Sequence, residues 1–236
     1  MTKMDLLRSL HRAPPLLVLP NAWDVASAKA FATLPGCRAL ATTSAAVARS
    51  LGWEDGERVP AGEMLLVVER IAAAVEIPVT ADLEAGYGDP PGTAVAALAA
   101  GAAGMNLEDS HGPELVPVDE QVEIIRAVRA AAPELVLNAR IDVFVRQAGG
   151  VEEAVERGNA YLAAGADCVY PILCPFDAVG PLAAGIRGPV NVMASPQSPR
   201  LDELERLGVT RVTFGSGLAA AALGEATRLA ELALER

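Results

Sequence analysis

The chain alternates between short, nearly continuous apolar runs and longer alanine-rich stretches. The apolar runs number eight and lie at residues 16–20, 39–43, 78–82, 104–108, 135–140, 168–172, 189–193 and 211–214. Short apolar runs of this kind are typical of parallel strands that are buried on both faces. The stretches between them, such as 94–100 and 118–132, have the apolar spacing of helices. The pattern therefore predicts eight strands that alternate with helices.

One unit recurs loosely along the chain: a helical stretch, a glycine and then an apolar strand. It carries Gly36, Gly101, Gly165 and Gly208. The residue that follows a helix often needs a positive φ, which glycine adopts without a side-chain clash. Eight strands in such units predict an α/β fold, a (β/α)8 barrel of the TIM type. An open doubly wound sheet is the competing fold, and it usually has fewer strands.

No stretch rich in proline, glycine or serine divides the chain, so we expect a single barrel domain over residues 1–236. The longest interval between strand ends, 43–82, contains the polar segment S-L-G-W-E-D-G-E-R at 50–58. Loops of this length in compact domains are often lids. We therefore expect a long loop over one mouth of the barrel.

Composition and charge narrow the possible partners. The formal net charge is −11, which disfavours binding to nucleic acid or to an anionic membrane. No apolar run reaches the roughly 18 residues that a membrane span needs. The first residues lack the apolar stretch and cleavage site of a secretory signal. Three scattered cysteines indicate free thiols in a reducing compartment, so we expect a cytoplasmic protein.

The two lysines, Lys3 and Lys29, exclude one class of chemistry. Schiff-base aldolases and pyridoxal phosphate enzymes need a lysine amine that points into the pocket. Neither lysine follows an apolar run, so both classes are disfavoured.

Polar side chains stand at the ends of several predicted strands, where this fold builds its active sites. They are Asp82 and Glu84, Asn106 and Glu108, and Asn138 and Arg140. The members of each pair are two residues apart, so they point the same way from their strand. Carboxylates and one arginine should thus gather on three successive strands.

Carboxylates packed this closely repel one another unless a positive charge lies among them. No lysine is available, and the histidines are only His11 and His111. A hard divalent cation with oxygen ligands fits, Mg²⁺ or Mn²⁺ rather than Zn²⁺. The alternative is a network of ion pairs at the barrel mouth, with Arg140 and Asp142 as structural partners.

Three motifs in order carry a resemblance to a known family. T-A-D-L-E-A-G-Y-G-D at 80–89, G-M-N-L-E-D-S at 104–110 and N-A-R-I-D at 138–142 resemble the isocitrate lyase and phosphoenolpyruvate mutase superfamily. L-P-N-A-W-D-V-A-S-A and T-T-S-A-A-V-A-R-S-L-G resemble the loops of its first two strands. The resemblance implies an (α/β)8 barrel, Mg²⁺, a small 2-oxo acid, its enolate or a dicarboxylate as ligand, and a homo-oligomer, dimer or tetramer.

The resemblance also implies roles for particular residues. Asp82, Glu84 and Glu108 match the carboxylates of the metal shell, although the family often has aspartate where Glu84 stands. The segment Thr43, Ser44 and Ala45 matches the one that holds the substrate carboxylate. Arg140 matches the arginine that pairs with a substrate anion, and Asp55 matches an acidic residue that organises the loop near the reacting centre.

One departure bears on the reaction. Lyases of this family carry K-K-C-G-H or a close variant after the fourth strand, whereas residues 110–115 here read S-H-G-P-E-L. Decarboxylation of an oxaloacetate-like acid requires least from this loop, because loss of CO₂ needs no general base. The proton could come from water, from His111 or through Asp55, while Asn191 could contact substrate or satisfy core backbone groups. The alternatives are carbon–carbon lysis of the isocitrate or methylisocitrate type and a non-catalytic 2-oxo-acid binding protein.

Overall fold

Eight parallel chain segments form the centre of the computed structural model, which describes residues 1–12 and 14–235. The strands are β1 (Leu17–Val18), β2 (Asn21–Ala22), β3 (Leu40–Thr42), β4 (Val79–Asp82), β5 (Gly104–Leu107), β6 (Ser110–His111), β7 (Glu114–Leu115), β8 (Val136–Ile141), β9 (Cys168–Pro171), β10 (Asn191–Met193) and β11 (Arg211–Thr213). The helices are α1 (Lys3–Leu10), α2 (Val25–Ala32), α3 (Ser44–Leu51), α4 (Ala61–Ala73), α5 (Pro90–Ala99), α6 (Val118–Ala131), α7 (Val151–Ala164), α8 (Val179–Gly185), α9 (Leu201–Arg206) and α10 (Gly217–Leu234). The 3-10 helix Phe176–Ala178 precedes α8. Each predicted apolar run overlaps a strand, and β8 continues one residue beyond its run to Ile141.

The parallel pairings pass through all eight segments and return to the first. β2, β3, β4, β5, β8 and β9 pair in that order, and β10, β11 and β1 form a second set. A parallel bridge between Val169 and Val190 joins β9 to the residue before β10. β1 and β2 belong to one run of chain, which pairs with β11 on one side and with β3 on the other. The predicted (β/α)8 barrel is confirmed, and β6 and β7 add a small antiparallel hairpin.

The first barrel segment extends beyond the predicted run 16–20. Asn21 donates a hydrogen bond from Nδ2 to the Thr42 carbonyl over 2.8 Å, and its Oδ1 accepts one from the Phe214 amide over 2.7 Å. The buried amide thus connects this segment to both of its neighbours. A search for apolar runs ends before such a residue, because its side chain is polar.

The four glycines of the recurring unit have the predicted backbone conformation. Gly36, Gly101, Gly165 and Gly208 have φ of +86°, +82°, +116° and +95°. Gly165 is the left-handed cap of α7. The prediction of a glycine at the turn between helix and strand is therefore confirmed in each unit.

Two helices fill most of the 43–82 interval, which leaves residues 52–60 as the loop. α4 buries Met64, Val68 and Ile71, whose spacing places them on one face of the helix. The loop is therefore much shorter than the 43–82 interval, and it begins two residues later than the polar segment, because residues 50 and 51 already belong to α3. The loop lies against the turn that follows β4, at the C-terminal mouth of the barrel.

The main apolar core lies between the strands and the surrounding helices. Met105 and Leu107 of β5 pack there together with Ile125 of α6. Asn106 stands between these two residues and therefore points to the opposite face, into the barrel. The alternation that buries the apolar side chains outside the barrel thus turns the polar ones toward its axis.

Helix α1 covers the N-terminal end of the barrel, although the apolar pattern assigned no element to residues 3–10. Thr2 and Asp5 form a capping box that starts the helix. Leu7 and Leu10 are buried in a second apolar cluster, with Leu17 and Val136 from the starts of their strands. The helix thus closes the end opposite to the mouth.

His11 is a buried contact between α1 and the barrel interior. Its Nδ1 lies 2.7 Å from the Leu7 carbonyl oxygen, so this nitrogen carries the proton and donates. Nε2 therefore has a free lone pair and accepts from Arg211 Nη1 over 3.3 Å. Burial, followed by the charge of Arg211, lowers the pKa of His11 to about 4.

This pKa predicts a loss of stability in acid. Unfolded His11 binds a proton below its ordinary pKa of 6.5, whereas the folded group stays neutral down to about pH 4. The free energy of unfolding keeps its full value above pH 6.5 and falls as the pH decreases from 6.5 to 4. The total loss is about 3 kcal/mol, at about 1.4 kcal/mol per pH unit between the two pKa values. Urea unfolding of wild type and His11→Gln at several pH values should show wild type losing more free energy of unfolding over this range. His111→Gln is the control, because His111 is exposed; parallel curves for wild type and His11→Gln would contradict the assignment.

No helix in the described part of the chain combines the length and the apolar character that a membrane crossing requires.

Candidate active site

Asp82, the last residue of β4, is held by three hydrogen bonds at the mouth of the barrel. Its Oδ2 accepts from the Ser44 amide over 2.9 Å and from Ser44 Oγ over 3.0 Å. Its Oδ1 accepts from Asn106 Nδ2 over 3.2 Å. The backbone amide of Asp82 in turn donates to Thr42 Oγ1. Residues of α3 and β5 therefore fix this carboxylate in one orientation, and a residue of β3 holds its backbone.

Ser44 is the first residue of α3, and its position explains the contact with Asp82. The first amides of a helix have no carbonyl partner within the helix and carry a partial positive charge. The cap residue Thr43 makes no side-chain bond to these amides. Ser44 uses its amide on Asp82, and the amide of Ala45 lies in the same first turn. The predicted segment 43–45 is thus a helix N-terminus beside the predicted metal carboxylate, a place suited to a carboxylate ligand.

Arg140 lies between two carboxylates at the end of β8. It donates to Asp142 through Nε over 2.5 Å and through Nη2 over 3.0 Å, and its Nη1 donates to Glu108. Asp142 is fully buried, and Ser110 Oγ also donates to it over 2.5 Å. The arginine thus has the bidentate geometry expected of a strong guanidinium–carboxylate pair.

The predicted metal carboxylate Glu108 is buried among other charges. Burial raises its pKa well above the ordinary value, and the charge of Arg140 opposes this effect. Asp82, Asp142 and Glu84 raise its pKa further by repulsion. The carboxylates are therefore close enough to repel, and one arginine does not neutralise all of them.

Glu84, the third predicted metal carboxylate, faces the loop 52–60. Its Oε2 accepts from the Glu57 amide over 2.6 Å, and its Oε1 accepts from the Tyr87 hydroxyl over 3.0 Å. Burial raises the pKa of Glu84 to about 7, and the charges of Asp55 and Asp82 add to the rise. The exposed Asp55 is thus close enough to Glu84 for their charges to repel, and its role at the reacting centre stays a prediction.

The segment G-Y-G after Glu84 forms a tight turn. Gly86 has φ of +94°, and a Cβ there would come within 2.7 Å of Pro90 Cα at the start of α5. No larger residue fits without displacing that helix. The turn therefore brings Tyr87 back over Glu84.

The donor chemistry of the mouth fits a hard divalent cation. Within the described residues, no three carboxylate, imidazole or thiol side chains converge as a preformed metal cluster. Magnesium does not require such a cluster, because it usually keeps several waters and binds through one or two carboxylates. Asp82 and Glu108 are the carboxylates that could hold it, and Glu84 lies beside them with one oxygen on the Glu57 amide of the loop and the other on the Tyr87 hydroxyl of the turn.

A second polar network, which the sequence did not predict, lies between α7 and the segment that carries Asp142. Asp109 is fully buried and accepts from the Tyr161 hydroxyl over 2.7 Å, from Arg157 over 3.2 Å and from the Asp142 amide over 2.8 Å. It thereby ties α7 to the segment that carries Asp142. The helical residues gave no signal in the sequence, because a polar residue on a helix ordinarily faces solvent.

Two predicted site residues lie apart from this cluster. His111 is exposed and pairs with Glu114 in the hairpin of β6 and β7. Asn191 is fully buried at the start of β10, where its Nδ2 donates to Thr213 Oγ1 over 3.3 Å. Their proposed contacts with substrate stay predictions.

Asn106 has a larger role than its strand position alone indicated. Its Nδ2 holds Asp82, and its Oδ1 accepts from Asn138 Nδ2 over 2.8 Å and faces Arg211 Nη2 at 3.5 Å. The inward alternation predicted where Asn106 and Asn138 point but not which groups they reach.

Both lysines lie away from the mouth. Lys3 Nζ donates to the Val75 carbonyl over 2.9 Å. Lys29 lies in the last turn of α2. The geometry agrees with the exclusion of a Schiff-base lysine.

Comparison with known proteins gives a family match and named relatives. The family model of phosphoenolpyruvate phosphomutase matches residues 7–234. An uncharacterized protein of Mycobacterium tuberculosis is 36% identical over 211 residues, covering 88% of this chain and 80% of that protein. The 2-methylisocitrate lyase of Bacillus subtilis is 31% identical over 70% of this chain and 58% of its own length. The oxaloacetate decarboxylase of Ectopseudomonas mendocina is 30% identical over 83% of this chain and 72% of its own.

Solved structures share the architecture. A Burkholderia cenocepacia protein named after the phosphonomutases has a TM-score of 0.90 and 39% identity, covering 97% of this chain and 99% of that one. A phosphonopyruvate hydrolase in complex with oxalate and magnesium has a TM-score of 0.89 and 26% identity, covering 100% of this chain and 88% of that one.

Proposed function

The chain belongs to the phosphoenolpyruvate phosphomutase family, and from this membership we propose that it is a magnesium-dependent lyase that cleaves a carbon–carbon bond of a small 2-oxo acid. The membership confirms the resemblance carried by the three motifs. Decarboxylation of an oxaloacetate-like acid is the reaction we propose. Mg²⁺ is the proposed ion, and Mn²⁺ is the alternative.

The relatives support this class of reaction. One of them is named for the decarboxylation of a 2-oxo acid, oxaloacetate, and another for the lysis of a hydroxy acid, 2-methylisocitrate. A third, phosphonopyruvate hydrolase, holds oxalate together with magnesium. Oxalate carries adjacent carboxylate oxygens, as a 2-oxo acid carries adjacent carboxylate and 2-oxo oxygens.

The observation that carries the proposal is the meeting of Asp82, Glu108 and Arg140 with the N-terminus of α3. Asp82 and Glu108 would hold the ion. When bound, magnesium stabilises negative charge on the 2-oxo oxygen of a chelating acid. In this proposal the first-turn amide of Ala45 would bind the acid's carboxylate, and the guanidinium of Arg140, which contacts Glu108 and Asp142 in this structure, would pair with a second anionic group.

The hairpin after β5 favours decarboxylation over the lyase alternative. Carbon–carbon lysis of a 2-hydroxy diacid needs a base for the hydroxyl group. The segment 110–115 contains no cysteine or lysine, and its single histidine, His111, is exposed. Loss of CO₂ needs only a stabilised enolate and a final proton, for which His111 and Asp55 are the proposed donors beside water.

A rate comparison tests the proposal. Purified protein with Mg²⁺ and oxaloacetate should release CO₂ faster than the same concentration of Mg²⁺ alone, with saturation in oxaloacetate. Production of pyruvate from 2-methylisocitrate, or of glyoxylate from isocitrate, would favour the lyase alternative. Saturable oxalate binding without turnover of either acid would instead identify a 2-oxo-acid binding protein and overturn the proposed activity.

The proposed assembly is a homo-oligomer. None of the residues of α10 is buried, and Leu223 and Leu229 are 70% and 53% exposed. A groove of 870 Å³ lies between this helix and the barrel, lined by Trp23, Ala46 and Leu223 among others. Exposed apolar surface of this extent is typical of a protein interface, and a second copy of the chain is the proposed occupant.

Light scattering during gel filtration tests the assembly. Wild type should elute as a dimer or tetramer, and Leu223→Asp with Leu229→Asp should shift it to the monomer. Leu34→Asp is the matched control, since Leu34 is 52% exposed but lies outside α10. A wild-type monomer at every concentration would contradict the proposal.

A further inference from the structure

The loop 52–60 is attached to the turn after β4 by two glutamates. Glu84 accepts from the Glu57 amide over 2.6 Å, and Glu57 Oε1 accepts from the Tyr87 amide over 2.6 Å. The Tyr87 hydroxyl donates to the other oxygen of Glu84 over 3.0 Å. Each segment therefore presents a carboxylate to a backbone amide of the other. We call these three residues, Glu57, Glu84 and Tyr87, the latch.

We propose that Glu57 is a positioning residue, whose carboxylate fastens the loop 52–60 across the mouth of the barrel and thereby holds Asp55 beside the carboxylate cluster. The inference rests on the proposed function for its kinetic consequence, whereas the attachment of the loop can be measured without turnover.

Backbone strain in the latch indicates that its contacts hold it together. Glu57, Glu84 and Tyr87 have φ of +59°, +52° and +53°. Residues with a side chain rarely adopt this region, and they persist in it only where surrounding contacts impose it. These three of the five non-glycine residues with positive φ in the described residues meet through the hydrogen bonds described above. If one contact is removed, the strained conformation becomes less stable and the loop detaches more often.

The loop also has the means to move. Gly52 and Gly56 have φ of +84° and +89° and flank the exposed residues Trp53, Glu54 and Asp55. Glycines tolerate a large change of backbone angle at little cost. Val59 is buried and anchors the far end of the loop in the core. The latch is thus the attachment between a glycine-flanked segment and the site.

In this proposal the latch holds the carboxylate of Asp55 near the mouth of the barrel. Asp55 lies two residues before Glu57, and its charge adds to the repulsion felt by Glu84. An open loop would carry Asp55 away from the mouth. Because a ligand that needs the closed loop then binds only the closed fraction, the apparent affinity falls in proportion to that fraction.

Three variants separate the latch from a general effect of charge. Glu57→Ala removes the acceptor for the Tyr87 amide, while Glu57→Gln keeps an oxygen acceptor at the same place. Glu54→Ala removes a carboxylate from the same loop that is exposed and makes no hydrogen bond to the latch. Circular dichroism and the melting temperature establish that each variant is folded.

Hydrogen exchange measured by mass spectrometry, without metal or substrate, tests the attachment directly. Peptides that cover 52–60 and 84–89 should exchange about tenfold faster in Glu57→Ala, the change expected for loss of one charge-assisted hydrogen bond. Glu57→Gln should restore most of the protection, and Glu54→Ala should match wild type. Exchange in Glu57→Ala equal to that of wild type would overturn the latch.

Binding of oxalate in the presence of Mg²⁺, followed by calorimetry, tests the consequence for the site. The dissociation constant of oxalate, and the KM for oxaloacetate, should rise in Glu57→Ala by a factor between one and about ten, because the closed fraction of the loop cannot fall by more than the opening constant rises, with kcat changed little. Glu57→Gln should recover the wild-type value. Faster exchange with unchanged oxalate affinity would overturn the positioning role. If wild type neither binds oxalate nor turns over oxaloacetate, the proposed function fails while the exchange result still decides the attachment.

Discussion

Asp82→Asn is expected to lower the magnesium-dependent decarboxylation of oxaloacetate by about a thousandfold, since a metal that stabilises the developing charge contributes several kcal/mol. The substitution keeps the size of the side chain, and the asparagine oxygen can still accept from the Ser44 amide, as Asp82 does over 2.9 Å. What is lost is the negative charge that would face the ion. Steady-state rates with and without Mg²⁺ measure the effect.

Calorimetry of metal binding and a control variant test whether the lost activity is specific to Asp82. Calorimetry with Mg²⁺ and oxalate should show saturable binding to wild type and none to Asp82→Asn. Asp119→Asn removes an exposed carboxylate from the first turn of α6 and should leave both measurements unchanged. A rate for Asp82→Asn within a few-fold of wild type would exclude Asp82 as a metal ligand and remove the main support of the proposed function.

Arg140→Met is expected to destabilise the metal-free protein by about 3–5 kcal/mol, the usual cost of breaking a buried ion pair. The guanidinium contacts Glu108 and Asp142, whose side chains are 11% and 0% exposed. Without it, two buried carboxylates keep their charges unpaired or must bind protons. Arg140→Lys should recover only part of this loss, because an ammonium group cannot reproduce the bidentate contact.

Urea unfolding measures the free energy of each variant. Arg126→Met is the control: its arginine also pairs with a glutamate, but both side chains are more than half exposed, so a cost below about 1 kcal/mol is expected. A similar small cost for Arg140→Met would show that the mouth does not depend on this pair. In the activity assay, both Arg140 variants should also raise the KM for oxaloacetate through the lost anion contact.

The barrel could be predicted because its signals are local. A strand buried on both faces must be apolar along its length, and a helix-to-strand turn at positive φ favours glycine, as at Gly165. Asp82 and Glu108 could be found as well, since their chain positions at strand ends place them at one mouth of this fold.

The remainder of the site depends on contacts between segments that are distant in the chain. Glu57 is one of several glutamates in a polar stretch, and nothing in its neighbours indicates a bond to Tyr87. Asp109 pairs with α7, and burial, followed by the charge of Arg211, lowers the pKa of His11.

Periodicity, glycine placement and the motifs at the strand ends were thus sufficient to predict the fold, the family and the carboxylate cluster. Each of these signals lies within a few neighbouring residues of the sequence. The protonation of His11, the attachment of the loop and the pairing of Arg140 required the folded chain. Burial and charge act through space, and a side chain acquires its pKa and its partners only when the folded chain has brought its neighbours to it.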